Sequence, residues 1–357
     1  MKVCQMTSAH SQEDIRIFHK ECVSLAEAGY ETYLVSCGTE YEKKGVHMVG
    51  IGAEEASRRK RMLESSKEVY RRAAGLDAAI YHFHDPELLR YGLKLKKQGK
   101  KVIFDSHESI AAQIMDKGWI PGPLRKIVSG AYYRYETHVV KQLDAVVTAT
   151  PHIAESFQGR CARVVTVNNY PRLDDIRCCE TPLGDRPAQV CYAGGINDVR
   201  GENIMIEAMK GVEGTLILAG EHEITERGEN VRYIGQIDRQ GINELYANSV
   251  VGLCILKPIG NYVYSKPIKV YEYMAAGIPY ICSDFPGWRR VAEESGAGIC
   301  VDPEDIEGIR KAIISLLSDR EKAQAMGRKG RAYVLAHCNW ANEAETLLKL
   351  YEEIGKA

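Results

Sequence analysis

The sequence lacks any apolar run approaching the length of a bilayer, and its first residues, Met-Lys-Val-Cys-Gln-Met-Thr-Ser, turn polar too soon for a secretory leader. A cytoplasmic protein is expected, at most peripheral to the inner face of a membrane. Paired metal spacing is absent too: the 11 cysteines are scattered, and the adjacent pair Cys178-Cys179 cannot form a Cys-x-x-Cys site. They read as reduced thiols, mostly core filler in strands, as at Cys4, Cys254 and Cys282. Neither a Walker A loop nor the Gly-x-Gly-x-x-Gly dinucleotide fingerprint occurs, and no strand end carries an Asp-x-Asp pair for a metal-bound diphosphate. Low-complexity segments and short-period repeats are likewise missing. The net charge of -1 conceals an asymmetry: residues 1–170 carry 25 Lys+Arg against 20 Asp+Glu, and the remainder 22 against 28. Neither half is charged enough to imply a nucleic-acid partner.

What is present is a chain of 357 residues with 45% hydrophobic and 27% charged residues, which suits two globular domains and a cleft between them. Short apolar runs alternate with segments of helical period, the pattern of a parallel α/β sheet. Lys2 to Thr7 reads as the first strand. The loop after it, with His10, Asp14 and Arg16, lies at a carboxyl strand end, where open α/β sheets bind ligands. A helix is expected from Ile15 to Ala28. Two later strands end in His84-Asp85-Pro86-Glu87 and in Asp105-Ser106-His107-Glu108, so each tip offers a histidine and two carboxylates, a ligand-facing pattern. A basic helix opening at Ser57-Arg-Arg-Lys-Arg and running through Arg71-Arg72 reads first as a solvated face, and alternatively as an attachment to an anionic membrane. Trp119 in a later loop would add an apolar anchor.

Between Pro171 and Pro187 no period is sustained, which marks a domain boundary. The second half restarts with a strand from Gln189 to Tyr192 and the loop Ala193-Gly194-Gly195. Its glycines let the backbone approach a ligand closely, and Arg200 just beyond can pair with phosphate oxygens. A helix is read over Asn243–Ala247, and a glycine-rich loop at Pro286-Gly287-Trp288. The stretch from Tyr262 to Gly277 reads as a helix with Ser265 as N-cap, Lys269 in its first turn and Glu272 on the same face. A lysine beside free N–H groups, with a carboxylate one turn on, suits a diphosphate joined to a sugar. An ordinary helix with a surface ion pair is the plain alternative.

Taken in order, these patterns resemble the family 4 retaining glycosyltransferases of the GT-B fold over essentially the whole chain. His10 with Asp14-Ile-Arg-Ile-Phe18, His84-Asp-Pro-Glu-Leu88 and Phe104-Asp-Ser-His-Glu108 look like the loops of the acceptor domain. Tyr192-Ala-Gly-Gly195 with Arg200-Gly201 is similar to the donor-domain loop. Glu272-Tyr-Met-Ala-Ala-Gly-Ile-Pro279 is the most specific match, and Asn339-Trp340 resembles a motif before the last helix. Two departures stand out: Tyr264 occupies the place of an earlier glutamate that would hold the donor sugar, and Gly195 that of a frequent arginine. Pro267-Ile-Lys269, three residues ahead of Glu272, matches a subgroup with a Pro-x-Lys-x-x-Glu donor motif.

The resemblance implies an α/β fold of two Rossmann-like domains facing across a cleft. They would be an acceptor-binding domain over 1–171, a nucleotide-sugar-binding domain over 172–336, and a helix at 337–357 packing back on the first. It implies a nucleotide-diphospho-sugar donor and a saccharide or lipid-linked saccharide acceptor, in cell-surface polysaccharide or glycolipid synthesis. Glu272 would take the ribose hydroxyls. Arg200 and Lys269 would neutralise the diphosphate, with Gly194, Gly195 and Ser265 beside it, and Tyr233 and Ile237 would border the base. His107 would reach the transferred sugar or the acceptor, with His10, Asp14, Arg16, His84, Asp85 and Glu108 on the acceptor side. Transfer would proceed with retention, a phosphate oxygen taking the acceptor proton, without metal or other cofactor. A nucleotide-sugar epimerase of the same fold and a non-catalytic partner subunit are the alternatives.

Overall fold

The computed structural model describes residues 1–52, 57, 60–118, 120–178, 181–221 and 228–356. Arg58, Arg59 and Trp119, invoked above for a membrane contact, and Cys179 lie outside them. The chain divides into two compact units, residues 1–169 with 341–357, and residues 170–340.

The first unit is built on eight strands: β1 (Lys2–Met6), β2 (Glu31–Ser36), β3 (Tyr41–Lys43), β4 (Val46–Gly50), β5 (Ile80–Phe83), β6 (Lys101–Ser106), β7 (Ala145–Thr148) and β8 (Val164–Thr166). Their order is β3-β4-β2-β1-β5-β6-β7-β8, and only the β3 edge runs antiparallel. Helices cover both faces of such a sheet, so its central strands are buried without alternation: all four residues of β5, His82 included, and of β7 are buried. The chain leaves β1 toward β2 on one side and returns at β5 on the other. The β1/β5 junction is therefore the switch point at which open parallel sheets form a crevice.

The second unit carries β9 (Gln189–Ala193), β10 (Thr215–Ala219), β11 (Val231–Gly235), β12 (Val251–Cys254), β13 (Tyr280–Ser283) and β14 (Gly298–Val301). All pair in parallel in the order β11-β10-β9-β12-β13-β14. Counted within the unit this is 3-2-1-4-5-6, the dinucleotide-domain order, with its switch point between β9 and β12. The α/β architecture with two Rossmann-like sheets is thus as read from the strand–helix alternation.

Several local expectations differ. The helix after β1 opens as π-helix over Ile17–Cys22, with Glu21 N–H donating to the Arg16 carbonyl five residues back, before turning α over Val23–Glu27; the Asp14 side chain accepts from the backbone N–H of Arg16 and Ile17 at its start. Ser265 is not an N-cap: its hydroxyl donates back to the Tyr262 carbonyl at 2.7 Å, and the helix Ile268–Ala276 starts after Pro267. Pro286-Gly287-Trp288 is the first turn of a helix, Pro286–Ser295, rather than a loop, since proline suits a position with no N–H partner. The helix placed at Asn243 begins at Arg239, where Asp238 caps it by accepting from Gly241 N–H at 2.8 Å.

Candidate active site

In the second unit the site grows from the end of β9. Tyr192 is fully buried, and its hydroxyl donates to the Gly195 carbonyl at 2.8 Å, which ties down the loop that follows. Gly194 adopts φ +137°, outside the range of L side chains, and exposes its backbone. Lys269 reaches this loop from the first turn of the helix Ile268–Ala276. Its Nζ donates to the Tyr192 hydroxyl at 3.2 Å, lies 4.3 Å from that ring's centre, and would stand 3.4 Å from a Cβ at Gly194. Arg200 arrives from the other side, Nη1 donating to the Gly195 carbonyl at 3.4 Å, and a Cβ at Gly195 would sit only 2.4 Å from that nitrogen. Two cations thus flank the Gly194-Gly195 backbone, exposed at Gly194, at the β9/β12 switch point, an arrangement fitted to phosphate oxygens.

Arg200 is itself held in place. The Asn197 side chain accepts from its backbone N–H at 3.0 Å, Lys257 pairs with Asp198 at 2.6 Å, and Gly201 at φ +73° turns the chain into the helix Glu202–Ala208.

Glu272 lies on the same helix as Lys269, yet the ion pair that this spacing invites does not form. Lys269 turns to Tyr192. Glu272, 8% exposed, accepts from Arg239 Nη1 at Oε1 and from the buried Tyr246 hydroxyl at Oε2, both at 2.9 Å. Burial works against the charge on Arg239, but Glu272 outweighs it and raises its pKa. Both oxygens of Glu272 are thereby oriented, and each keeps a lone pair. Of the remaining donor-side residues, Tyr233 donates to Glu202 at 3.0 Å, Ile237 packs partly buried against the core, and Ser265 offers its carbonyl to Trp288 Nε1 at 2.6 Å. Tyr264 is 58% exposed.

In the first unit the residues named at three strand ends converge on the β1/β5 switch point. Asp85 Oδ2 accepts from the Thr7 hydroxyl at 2.8 Å and from the backbone N–H of Ser8 at 2.5 Å and Ala9 at 3.2 Å. Its Oδ1 faces His10 Nδ1 at 3.2 Å. Burial pushes the Asp85 carboxyl up, but His10 and these donors prevail and lower it to about 2. Beneath lies a buried charge cluster. Arg16 donates from Nε to Asp105 Oδ2 at 2.9 Å and from Nη2 to Oδ1 at 3.2 Å, and it also holds the Val167 carbonyl. Burial and the nearby Asp105 raise Glu21 well above the usual carboxylate range. At Asp105 burial is outweighed by the Arg16 charge and by the hydrogen bonds with His107 and His84, which hold its carboxyl low. Glu21, His82, His84 and Asp105 offer ligand atoms within 4.8 Å of one another, the geometry of a metal cradle. Arg16 Nε, 3.1 Å from Glu21 and 2.9 Å from Asp105, is the cation already seated there.

The sequence-named residues therefore separate into two depths. His10 and His107 are partly exposed, their ring centres 5.3 Å apart, and Glu108 is exposed. Arg16, His84 and Asp85 are buried and support them, while Asp14 shapes the turn before Arg16. Arg239, Tyr246, Gln5 and Tyr351 were not legible as site residues. Arg239 fell outside the helix as read from sequence, and the others look like ordinary core positions until their polar atoms are located.

Two Rossmann-like units, each with polar residues gathered at its switch point, are the architecture of the GT-B fold. The glycosyltransferase family 4 model matches residues 17–169 and the glycosyl transferases group 1 model residues 180–333, and the chain belongs to this family. It is 21% identical to a glycogen synthase of Mycobacterium tuberculosis over 94% of this chain and 90% of that enzyme. A GDP-mannose-dependent alpha-(1-6)-phosphatidylinositol monomannoside mannosyltransferase of the same organism is 25% identical over 46% of this chain and 47% of its own. Among solved structures, sucrose-phosphate synthase from Thermosynechococcus elongatus superposes with a TM-score of 0.77 at 18% identity, covering 99% of this chain and 98% of that one. An Anabaena protein in complex with UDP and glucose gives a TM-score of 0.74 at 10% identity, covering 99% and 100%. Among the described residues no helix is long and apolar enough to cross a membrane.

Proposed function

We propose that this glycosyltransferase moves a sugar, with retention, from a nucleotide-diphospho-sugar to a hydroxyl of a saccharide or lipid-linked acceptor. The observation that carries the donor assignment is the convergence of Arg200 and Lys269 on the Gly194-Gly195 backbone. As the glycosidic bond breaks, negative charge grows on the leaving diphosphate, and fixed cations aimed at it lower the barrier. Glu272, oriented by Arg239 and Tyr246, takes the ribose hydroxyls, with Tyr233 and Ile237 toward the base. These cations supply the charge neutralisation that other enzymes draw from a metal, so transfer proceeds in a chelator. The acceptor side comprises His10, His107 and Glu108 at the surface, supported by Asp14, Arg16, His84 and Asp85. The acceptor hydroxyl attacks from the face the nucleotide leaves, and a phosphate oxygen takes its proton.

A membrane-borne acceptor is favoured by the helix Gly122–Val140, where Leu124, Ile127 and Val128 are exposed beside Arg125 and Lys126. Salt-sensitive flotation with anionic vesicles tests that contact, and its absence removes it. The reaction is tested by following nucleoside diphosphate release from a panel of nucleotide sugars in EDTA, with and without oligosaccharide or glycolipid acceptors. Release that depends on acceptor supports transfer. Interconversion of the sugar without release favours an epimerase, and no nucleotide binding at all favours a non-catalytic subunit.

A further inference from the structure

Three cysteines stand in a row across the sheet of the second unit. The parallel register pairs Cys254 on β12 with Cys282 on β13, and Cys282 with Cys300 on β14. Residues so paired point to one face of the sheet. Cys254 and Cys282 are fully buried, whereas Cys300 lies on the edge strand and is half-exposed. The outer two are in contact: both are free thiols, and their sulfurs are 3.8 Å apart. In-register neighbours on a parallel pair stand about one strand spacing, roughly 4.8 Å, apart at Cα and Cβ alike. That is inside the Cα range of a disulfide, about 4.4–6.8 Å, and slightly beyond its Cβ range of about 3.5–4.5 Å. Closing the bond therefore takes side-chain rotation and a pull of a few tenths of an ångström on the strand ends. The hydrogen bond with Cys282 lowers the pKa of the Cys300 thiol against burial, so the accessible sulfur is also the one that ionises more readily.

We propose that Cys282 and Cys300 form a reversible oxidation site, at which a peroxide converts the thiol pair to a disulfide and displaces the loop that carries Arg200. The Cys300 sulfur attacks one peroxide oxygen, the O–O bond breaks, and the other oxygen leaves as water with the thiol proton, giving a sulfenic acid. The Cys282 sulfur then attacks that of Cys300, an S–S bond forms as the S–O bond breaks, and a second water departs with the Cys282 proton. Each sulfur has lost one electron, and the peroxide has taken both. The pull on β13 has a short route to the donor side. Cys282 is followed by Ser283, whose hydroxyl accepts from the Leu256 N–H and donates to the Leu256 carbonyl, both at 2.8 Å. Next to Leu256, Lys257 donates its N–H to the Val199 carbonyl at 3.0 Å and pairs with Asp198, and Val199 directly precedes Arg200. The effect on nucleotide binding rests on the donor reading above, whereas the thiol chemistry does not.

The test treats the reduced full chain with hydrogen peroxide, blocks the remaining thiols by alkylation and maps tryptic peptides by mass spectrometry. Cleavage at Arg289 and Arg290 puts Cys282 and Cys300 on separate peptides. These two are expected to appear joined, lighter than their sum by two hydrogens, and to separate again in dithiothreitol, while Cys300→Ser yields no such species. Affinity for UDP, GDP or ADP, whichever the reduced protein binds, should fall roughly tenfold on oxidation, about the worth of one hydrogen bond to a charged group, and should not respond to peroxide in Cys300→Ser. Peroxide that carries Cys300 to a sulfinic acid without the link, or a link that joins other cysteines, overturns the proposal. A Cys282–Cys300 link that leaves nucleotide affinity unchanged overturns the coupling to Arg200. The wild-type peptide map decides the site even if the variant does not fold. Should the link form in a protein that binds none of these nucleotides when reduced, the donor reading falls and the oxidation site stands.

Discussion

Replacing Tyr246 by phenylalanine removes one oxygen from the interior of the second unit and isolates what orients Glu272. The hydroxyl is fully buried and donates to Glu272 Oε2 at 2.9 Å, while the ring meets Tyr273 edge-on at 5.2 Å, a contact phenylalanine preserves. A hydrogen bond to a charged acceptor contributes roughly 1.5–3 kcal/mol, more than a neutral one, because the carboxylate stays desolvated when its donor leaves. Arg239 still holds Oε1, which keeps the loss below that of an unpaired buried charge. For a unit of this size that corresponds to a fall in melting midpoint of about 3–12 °C. Melting of the full chain with and without nucleoside diphosphate reads both consequences. The midpoint drops and, on the proposal that Glu272 takes the ribose hydroxyls, the rise produced by nucleotide shrinks, because a carboxylate free to rotate would meet them less often in the right geometry. A Tyr246→Phe protein that melts within about 1 °C of wild type, with the same nucleotide-induced rise, would refute the claim that this hydroxyl organises the site.

Three further outcomes follow from the geometry. Gly201→Ala places a Cβ 2.2 Å from the Ile255 carbonyl at φ +73°, and since neither backbone can yield, stability falls by more than about 2 kcal/mol in urea unfolding. If Lys269 and Arg200, both half-buried, neutralise the leaving diphosphate as proposed, Lys269→Met and Arg200→Met each lower kcat/KM by roughly 10²–10³ with little change in melting midpoint. Asp85, depressed from 3.8 to about 2, contributes about 2 kcal/mol above pH 4, which is lost as pH falls through 2; its partner His10 is raised, with burial opposing and Asp85 prevailing, so its contribution is complete below 6.5 and fades above its raised pKa. Proton NMR titration of His10 checks the second half of that statement, and acid unfolding of Asp85→Asn against wild type checks the first.

How much of this was legible beforehand differs from residue to residue. Strand–helix alternation with apolar, non-alternating strands determined two parallel sheets, because only strands covered on both faces tolerate such runs. Gly194, Gly195, Arg200, Lys269 and the histidine-bearing strand tips announced themselves because loops at carboxyl strand ends have few structural reasons to carry those residue types. The sequence also fixed which residues share a helix, as Lys269 and Glu272 do. It did not determine where their side chains go. That required the packing of the helix Arg239–Ala247 against Glu272, and of Tyr192 beneath Lys269, both long-range contacts that no local period encodes. Gln5 and Tyr351 mark the limit most clearly. Separated by 346 positions, they form a hydrogen-bonded pair only because the last helix belongs to the first unit. Local sequence thus decided the elements and the chemistry offered at their ends, whereas tertiary packing decided which of those groups are oriented, neutralised or exposed.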